Sequence, residues 1–351
     1  MIPRHASELS ADDLAVLLSP RHPGVRVAGV EVVEAHEVTN SHARLRLTYD
    51  EPAGAPEHLF CKLLPNDDRR ASVAASGMGL REAWFYDRLA SQIDLRVPQV
   101  HAVETNDDDE FLILLEDLQT TGCTVSDGTY GVSPDAMAVA LEGLATMHVR
   151  YADPARRAAE APWVEPPRRT SDYGVWMLQH GLDHHRDRLR DAFAAIAELY
   201  IDDRDALQAV WTQGPQTIIH GDPHLGNVFD DHGTIGFLDW GIMSVNTPLR
   251  DVSYFITMAL DVEVRRRHEA QLLHEYLDVR AALGGSPIDW NEAWLRHRAH
   301  AAYTVPASCQ IVLFPDGISE ARRVFAESFL EKAQTCVEDL EALDALRQLG
   351  V

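Results

Sequence analysis

The sequence contains very little lysine, and the position of one lysine is informative. Of its 31 basic residues only two are lysines, Lys62 and Lys332. Arginine therefore carries nearly all of the positive charge, whereas Lys62 lies within the apolar segment HLFCKLLP. A compact ammonium group and a planar guanidinium group suit different partners. The sequence thus predicts that Lys62 serves a site that needs a point charge.

Other absences exclude several classes of protein. The four cysteines, Cys61, Cys123, Cys309 and Cys336, are scattered along the chain, which favours free thiols over disulfides or a zinc site. No apolar run approaches the length of a membrane span, and the N-terminus lacks the pattern of a secretory signal. We therefore expect a cytoplasmic protein with no membrane partner.

Negative charge is in excess. The chain has 55 acidic and 31 basic residues, a net charge of −24. Such a field repels nucleic acid and anionic lipid and attracts cations. The composition predicts no nucleic-acid partner and weakly favours a cationic substrate, although solubility alone also explains an acidic surface. It does not indicate an oligomeric state.

Length and hydrophobic pattern predict two lobes. A chain of 351 residues exceeds the usual size of one compact core. Up to residue 118, alternating or continuous apolar segments predict strands, with one helix inserted at LREAWFYDRLASQI and a short first helix begun by Ser10 or Asp12. Beyond a turn-rich connection, Pro134 opens a mainly helical region with only short strands. We predict an α+β fold, with a β-rich nucleotide-binding lobe at 1–118 and a mainly helical catalytic and substrate-binding lobe at 119–351.

The stretch HGDPHLGN contains residues that phosphoryl transfer needs. Asp222 is followed five positions later by Asn227, and Asp239 comes twelve positions after that. The reaction needs a carboxylate that orients the attacking hydroxyl and takes its proton, and oxygen ligands for magnesium. Asp222 fits the first role, and Asn227 and Asp239 fit the second. The order Asp, Asn, Asp is that of the kinase signature.

Lys62 and Glu82 complete this set. Kinases hold the nucleotide phosphates with a strand lysine that is paired with a helix glutamate. Taken alone, Lys62 reads as an edge-strand lysine reaching to water, and Glu82 reads as a solvated helix charge. Only their combination with the Asp, Asn, Asp order favours a nucleotide site.

These segments resemble a known family. IIHGDPHLGNVF and IGFLDWG, preceded by Lys62 and REAWFYDRL, are similar to the aminoglycoside phosphotransferase and choline kinase family over about residues 30 to 260. REAWFYDRL and PLRDVSYFI look more like its ecdysteroid-kinase-like and uncharacterised bacterial branches. The resemblance implies a two-lobed protein-kinase-like fold that uses ATP and Mg²⁺, with ATP between the lobes.

The resemblance also implies roles for individual residues. Asp222 would be the catalytic base, Asn227 and Asp239 would bind magnesium, and Lys62 with Glu82 would hold the phosphates. Catalysis would come mainly from positioning and from neutralisation of charge.

Further roles that the resemblance implies are supporting ones. His220 would shape the loop, and Asp251 would anchor it, although capping of a helix also explains Asp251. The segment 114–118, with Glu116 and Leu118, would be the hinge whose backbone meets adenine.

The chain departs from protein kinases in its phosphate loop. It has no Gly-x-Gly-x-x-Gly motif and offers only EVTNSHARLRL, in which Asn40 and Ser41 supply a turn and polar groups.

Two other functions remain open. His220, Asp222 and His224 could form part of the metal site of a phosphoesterase, with further ligands from the histidines between residues 180 and 185. That interpretation leaves Lys62 without a role. A nucleotide-binding module without catalysis is the other alternative, although the residues it would have lost are present.

The phosphate acceptor is expected to be the hydroxyl group of a small molecule. The predicted fold suits several classes of acceptor: aminoglycoside-like, choline-like, sugar, sterol-like or hydroxyacyl-thioester. The apolar content of residues 290 to 330 slightly favours an acceptor less polar than an aminoglycoside. Trp176, Tyr303 and Asp316 are candidates for lining its pocket.

Overall fold

The computed structural model describes residues 2–128, 130–168, 172–308 and 319–351. Within these ranges, no helix is both long and apolar enough to cross a membrane. The chain folds into two compact units. Unit 1 contains Met1–Val125, Phe229–His232 and Gly236–Met243, and unit 2 contains Ser126–Val228, Gly233–Ile235 and Ser244–Val351. The functional division at residue 118 stays a prediction.

Unit 1 is built on an antiparallel sheet whose strands match the predicted apolar segments. In the sheet the strands follow the order β1-β2-β3-β5-β4. An acidic turn at residues 106–110 joins β4 to β5. The strands are β1 (Arg26–Glu37), β2 (Ser41–Glu51), β3 (His58–Leu63), β4 (Val100–Thr105) and β5 (Phe111–Glu116).

Three helices belong to unit 1: α1 (Ala11–Leu18), α2 (Arg70–Ser76) and α3 (Met78–Trp84). Helix α1 begins where Ser10 and Asp13 form a capping box, which confirms Ser10 as its start. Helix α3 continues as a π-helical segment over Phe85–Leu89.

Side chains on the two faces of β3 have different surroundings. Leu59, Cys61 and Leu63 point into the core of unit 1, whereas Lys62 points to the opposite face. Because β3 pairs with both β2 and β5, it is an interior strand, so the interpretation of Lys62 as an edge-strand lysine is wrong.

Unit 2 is mainly helical. Its helices are α4 (Pro134–Arg150), α5 (Pro154–Glu160), α6 (Tyr173–His184), α7 (Asp191–Asp202), α8 (Arg204–Thr212), α9 (Pro248–Ala259), α10 (Val262–Ala282), α11 (Trp290–Ala301), α12 (Thr304–Ala307), α13 (Glu320–Asp339) and α14 (Ala342–Gln348). Short strands lie before and between these helices in the sequence: β6 (Thr124–Val125), β7 (Thr217–Ile219), β8 (Val228–Asp231), β9 (Thr234–Phe237) and β10 (Ser244–Asn246). Of these, β7 and β10 belong to unit 2, β6 belongs to unit 1, and β8 and β9 have residues in both units. Strands β6 and β10 were not predicted from the sequence.

Proline positions set the starts of two important helices. Pro134 is the first residue of α4, as predicted, and it follows the cap residue Ser133. Pro248 is the first residue of α9 and follows Thr247, which occupies the cap position. Asp251 is therefore one turn inside α9, and the interpretation of Asp251 as a helix cap is wrong.

Candidate active site

A buried ion cluster in unit 1 joins three of the predicted site residues. The Lys62 Nζ pairs with the Glu82 carboxylate and lies 3.7 Å from Asp239 Oδ1. The Lys62 and Glu82 side chains are 6% and 3% exposed, whereas Asp239 is 49% exposed. Glu82 is therefore not the solvated helix charge that its position alone suggested. We call Lys62, Glu82 and Asp239 the phosphate cluster.

The charges in the phosphate cluster do not balance, because two carboxylates share one ammonium group. Burial alone would lower the pKa of Lys62, but the carboxylates of Asp239 and Glu82 outweigh burial and raise that pKa. Burial raises the pKa of Glu82 to about 7, while Lys62 opposes the rise and Asp239 adds to it. An additional cation would relieve this excess of negative charge.

The segment around Asp239 is fixed against the helix that carries Glu82. Asp239 adopts a left-handed backbone conformation with φ 57°, which aspartate tolerates better than most residues. The next residue, Trp240, is fully buried and stacks on Phe85 with ring centroids 3.9 Å apart. Arg81 also donates to the Gly241 carbonyl oxygen at 2.5 Å. Asp239, which is distant in sequence, is thereby held beside Lys62.

The turn between β1 and β2 contributes polar groups near the phosphate cluster. Asn40 and Ser41 are both 7% exposed, and Asn40 Oδ1 is buried with no hydrogen-bond partner among the described residues. His42 pairs across the sheet with Lys62, and the same part of the chain supplies no partner for its buried Nε2. Burial, together with the nearby Lys62, lowers the pKa of His42 to about 3. His42 was not predicted as a site residue, because its environment depends on cross-strand register.

The predicted hinge is held by ion pairs. Glu116 accepts from Arg96 at 2.8 Å and from the Gln99 backbone N–H at 3.0 Å, so its carboxylate is engaged within unit 1. Leu118 is buried. Asp117, which the sequence did not single out, is 2% exposed and accepts from Arg44 Nε at 2.9 Å. The contact of this segment with adenine stays a prediction.

In unit 2, Asp251 holds the start of the catalytic loop, which we define as residues 220–227. One carboxylate oxygen of Asp251 accepts from the His220 backbone N–H at 2.6 Å, and the other accepts from Gly221 N–H at 2.8 Å. Gly221 has φ 92°, a conformation that favours glycine. The contacts are those that an anchoring role requires.

A buried histidine supports Asp251 from behind. His148 Nε2 lies 3.4 Å from Asp251 Oδ2, and its Nδ1 lies 2.9 Å from the Tyr276 hydroxyl. Burial would raise the pKa of Asp251, but the contacts with His148 and with the loop N–H groups outweigh burial and lower that pKa. His148 lies within the apolar pattern of α4, and its sequence context gave no indication of this contact.

Asp222 is oriented by its own loop. Asn227 Nδ2 donates to the Asp222 backbone oxygen and to Asp222 Oδ2, each at 3.0 Å. His224 Nδ1 accepts from Gly226 N–H at 2.9 Å, which assigns the ring proton to Nε2, and this atom lies 3.4 Å from Asp222 Oδ2. His220 is fully buried, and its Nδ1 accepts from Asp222 N–H at 3.2 Å. Both histidines therefore use one ring nitrogen to shape the loop.

The rival metal site is not assembled in the described part of the chain. Within it, no group of three or more His, Cys, Asp or Glu residues is arranged to bind a metal ion. His180 and His184 lie on α6 with ring centroids 4.4 Å apart.

The residues suggested for an acceptor pocket have different surroundings. Trp176 is 56% exposed and stacks on Tyr173. Tyr303 packs against Tyr254 and lies under the guanidinium of Arg250. Asp316 lies outside the described residues.

A sequence comparison identifies a family that matches this chain. A model of the phosphotransferase enzyme family matches residues 41–286, more than half of the chain. No curated protein matches the sequence.

Several solved structures resemble this one. A candidate aminoglycoside phosphotransferase from Ralstonia eutropha is 14% identical, with a TM-score of 0.50, and the match covers 93% of this chain and 98% of that one. Wild-type aminoglycoside 2′-phosphotransferase-IIIa, solved with GDP, is 12% identical, with a TM-score of 0.51 and coverage of 96% and 100%. A choline/ethanolamine kinase family protein from Mesorhizobium loti aligns at 16% identity with a TM-score of 0.48, over 96% and 97% of the two chains. At these identities the first two likenesses show the fold alone, and with the family match they confirm the predicted kinase-like α+β fold.

Proposed function

The chain belongs to the phosphotransferase enzyme family, and we propose that it transfers the γ-phosphate of ATP to a hydroxyl group of a small molecule. The observation that carries this proposal is the phosphate cluster. Lys62 is buried, protonated and shared by Glu82 and Asp239. A lysine held in this way supplies a fixed point charge for the phosphates of a nucleotide.

The residues present fit a magnesium ion. Asp239 is half exposed and belongs to a cluster with excess negative charge. Asn227 uses its Nδ2 on Asp222, which leaves Oδ1 as an acceptor. Carboxylate and amide oxygens are ligands that magnesium prefers, so Asn227 and Asp239 would hold it. When bound, the ion neutralises charge on the phosphates.

Asp222 would act on the acceptor. Asn227 and His224 both approach Oδ2 of this carboxylate, so its orientation is set before the acceptor arrives. Asp222 would accept a hydrogen bond from the hydroxyl group and take its proton as the bond to phosphorus forms. A positioned base of this kind contributes about 10²- to 10⁴-fold in rate.

The nucleotide and the acceptor need separate tests. One structural relative was solved with GDP, so GTP has to be compared with ATP. The names of the relatives include aminoglycoside phosphotransferases and a choline/ethanolamine kinase family protein. We propose an aminoglycoside-like, choline-like or other hydroxylated metabolite as the acceptor.

The decisive experiment combines an ADP-release screen with a base variant. A panel of hydroxyl-bearing metabolites and antibiotics is tested with wild-type protein, Asp222→Ala and Asp187→Ala, which removes an exposed carboxylate. We expect Asp222→Ala to abolish transfer while magnesium-dependent thermal stabilisation by ATP persists, and Asp187→Ala to behave as wild type.

Other results would assign a different function. Turnover by Asp222→Ala at the wild-type rate would refute Asp222 as the base. Hydrolysis of phosphate esters without nucleotide would favour the phosphoesterase. ATP binding without transfer to any acceptor would favour a non-catalytic module.

A further inference from the structure

Arg250 is a buried cation for which the described part of the chain supplies no anionic partner. It is the third residue of α9 and is only 8% exposed. Among the residues that the structure describes, no carboxylate forms an ion pair with it, and its Nε is buried without a hydrogen-bond acceptor. Its guanidinium carbon lies 4.0 Å from the centroid of the Tyr303 ring.

This arrangement is unfavourable for the protein alone. Buried charges are normally paired, and a cation in the first turn of a helix is repelled by the helix dipole. Arg296 illustrates the usual solution, because it is 9% exposed and donates to Glu292 at 3.0 Å. The contact with the Tyr303 ring gives Arg250 only partial compensation. The described residues therefore leave the charge of Arg250 uncompensated, and an anionic group of a bound molecule would compensate it.

The position of Arg250 places that partner near the catalytic loop. Helix α9 also carries Asp251, which holds the loop, and Tyr254, one turn after Arg250. The Tyr254 ring lies 5.5 Å from the ring of Tyr303 and 6.2 Å from that of His224.

Electrostatic interactions also indicate that Arg250 lies near the catalytic loop. Burial raises the pKa of Tyr254 well above its usual value, the Asp222 carboxylate adds to the rise, and Arg250 opposes it. The buried Tyr254 hydroxyl thus interacts electrostatically with both the Asp222 carboxylate and the Arg250 guanidinium. A molecule that presents a hydroxyl to Asp222 would have its far side close to Arg250.

We propose that Arg250 binds an anionic group, a carboxylate or a phosphate, on the acceptor molecule. This inference rests on the proposed transfer to a hydroxyl group and narrows its acceptor to a hydroxylated anion. Tyr303 would form the floor of the anion site, with its ring supporting the guanidinium plane. The net charge of −24 favours a cationic substrate, but the charge nearest the acceptor decides specificity at short range.

Matched acceptors test the proposal directly. ADP release is measured with 4-(hydroxymethyl)benzoate, 4-(hydroxymethyl)benzamide and 4-(hydroxymethyl)benzylamine, which share the hydroxymethylphenyl group and carry an anionic, a neutral and a cationic substituent. Hydrogen bonds to charged groups predict that kcat/KM for the carboxylate exceeds that for the amide by about 10- to 100-fold. In Arg250→Gln this ratio should fall to about one, mainly through KM, whereas the KM for ATP should not change. Arg296→Gln is the control, because the guanidinium that it removes already has a partner.

A binding measurement covers the case in which none of these alcohols is turned over. Benzoate, phenyl phosphate and benzamide are titrated calorimetrically into wild-type protein, Arg250→Gln and Arg250→Lys at constant ionic strength. At least one of the two anions should bind about tenfold more tightly than benzamide, and the better one identifies the group recognised. The preference should be lost in Arg250→Gln and kept in part in Arg250→Lys.

The outcomes separate the two proposals. Equal binding of the anions and benzamide by wild-type protein overturns the anion site, as does a preference that survives in Arg250→Gln. Efficient phosphorylation of a neutral or cationic acceptor that is unaffected by Arg250→Gln overturns the anion site and leaves the phosphotransferase function intact. If Arg250→Gln does not fold, the wild-type comparison and Arg250→Lys still decide the question.

Discussion

Asn227 donates its side-chain amide to two oxygens of Asp222, the backbone carbonyl and the carboxylate Oδ2, each at 3.0 Å. One amide nitrogen therefore sets both the path of the loop and the direction of the carboxylate. The amide oxygen of Asn227 remains as an acceptor for a cation. Asn227 would thus link the orientation of the proposed base to the proposed binding of magnesium.

Replacement of Asn227 by alanine should impair both tasks. Loss of the two hydrogen bonds frees the Asp222 carboxylate, and misplacement of a catalytic group costs about 100-fold in kcat. Loss of the amide oxygen should raise the magnesium concentration for half-maximal rate by about 10- to 100-fold. Steady-state kinetics at varied magnesium measure both effects. A lower kcat with an unchanged magnesium dependence would show that Asn227 orients Asp222 without binding the ion.

Removal of Lys62 should destabilise unit 1. In Lys62→Met the buried Glu82 loses its cationic partner and must stay charged or take up a proton, and either costs about 3–5 kcal/mol in the free energy of unfolding. Addition of Glu82→Gln should recover part of this loss. Urea unfolding of the two single variants and the double variant gives the interaction energy.

An exposed ion pair provides the control for this cycle. Arg46 and Glu31 are 50% and 59% exposed, so Arg46→Met should cost less than about 1 kcal/mol. Equal destabilisation by Arg46→Met and Lys62→Met would contradict the burial of the Lys62 charge.

The contribution of Asp251 should depend on pH. Its pKa in the folded protein lies below the ordinary value of 3.8, because His148 and the loop N–H groups favour the charged form. Asp251 therefore stabilises the fold above pH 3.8, and this contribution is lost as the pH falls through the folded pKa. Asp251→Asn should lower the free energy of unfolding by about 1.5–3 kcal/mol at pH 7.

Unfolding of wild-type protein and Asp251→Asn by urea, at several values between pH 7 and pH 3, tests this expectation. The difference between the two proteins should be constant above pH 5 and shrink below pH 3.8. A difference that does not change across this range would mean that the charge of Asp251 is unimportant for the loop.

Gly79 should not tolerate a side chain. A Cβ at this position of α3 would lie 1.9 Å from the Phe111 ring, so the helix that carries Glu82 would have to move. Overpacking of this kind costs about 1–3 kcal/mol, and displacement of Glu82 should also raise the KM for ATP. Gly174→Ala is the matched control, since its Cβ would meet the nearest atom at 3.5 Å. Thermal unfolding and nucleotide kinetics of both variants make the comparison, and a stable Gly79→Ala with an unchanged KM would contradict the packing argument.

Local patterns predicted most of the fold. The apolar patterns of β2 and β3 and the proline at the start of α4 are signals within a few residues, and the structure confirms them. The strands β6 and β10 contain two and three residues and show no period. Such strands form because a neighbouring strand is already in place, which a sequence pattern does not report.

The candidate site was predicted from the residue types that phosphoryl transfer needs, and not from local sequence patterns. Judged alone, Lys62 and Glu82 read as surface charges, and both are buried because each is the other's partner. Their proposed joint role in phosphoryl transfer predicted a pairing that neither position indicated alone. His42, His148 and Arg250 were missed because their surroundings come from cross-strand register or from distant helices.

The phosphate cluster has a consequence for how the gene can be divided. Lys62 and Glu82 lie in the first long segment of unit 1, which ends at Val125, but Asp239 lies in Gly236–Met243, after the chain has passed through unit 2. A polypeptide that stopped at residue 125 would carry the ammonium and one of its two carboxylates. A gene cut between residues 125 and 236 would therefore separate Asp239 from Lys62 and Glu82. The two parts of the chain could not be exchanged independently without dividing the phosphate cluster.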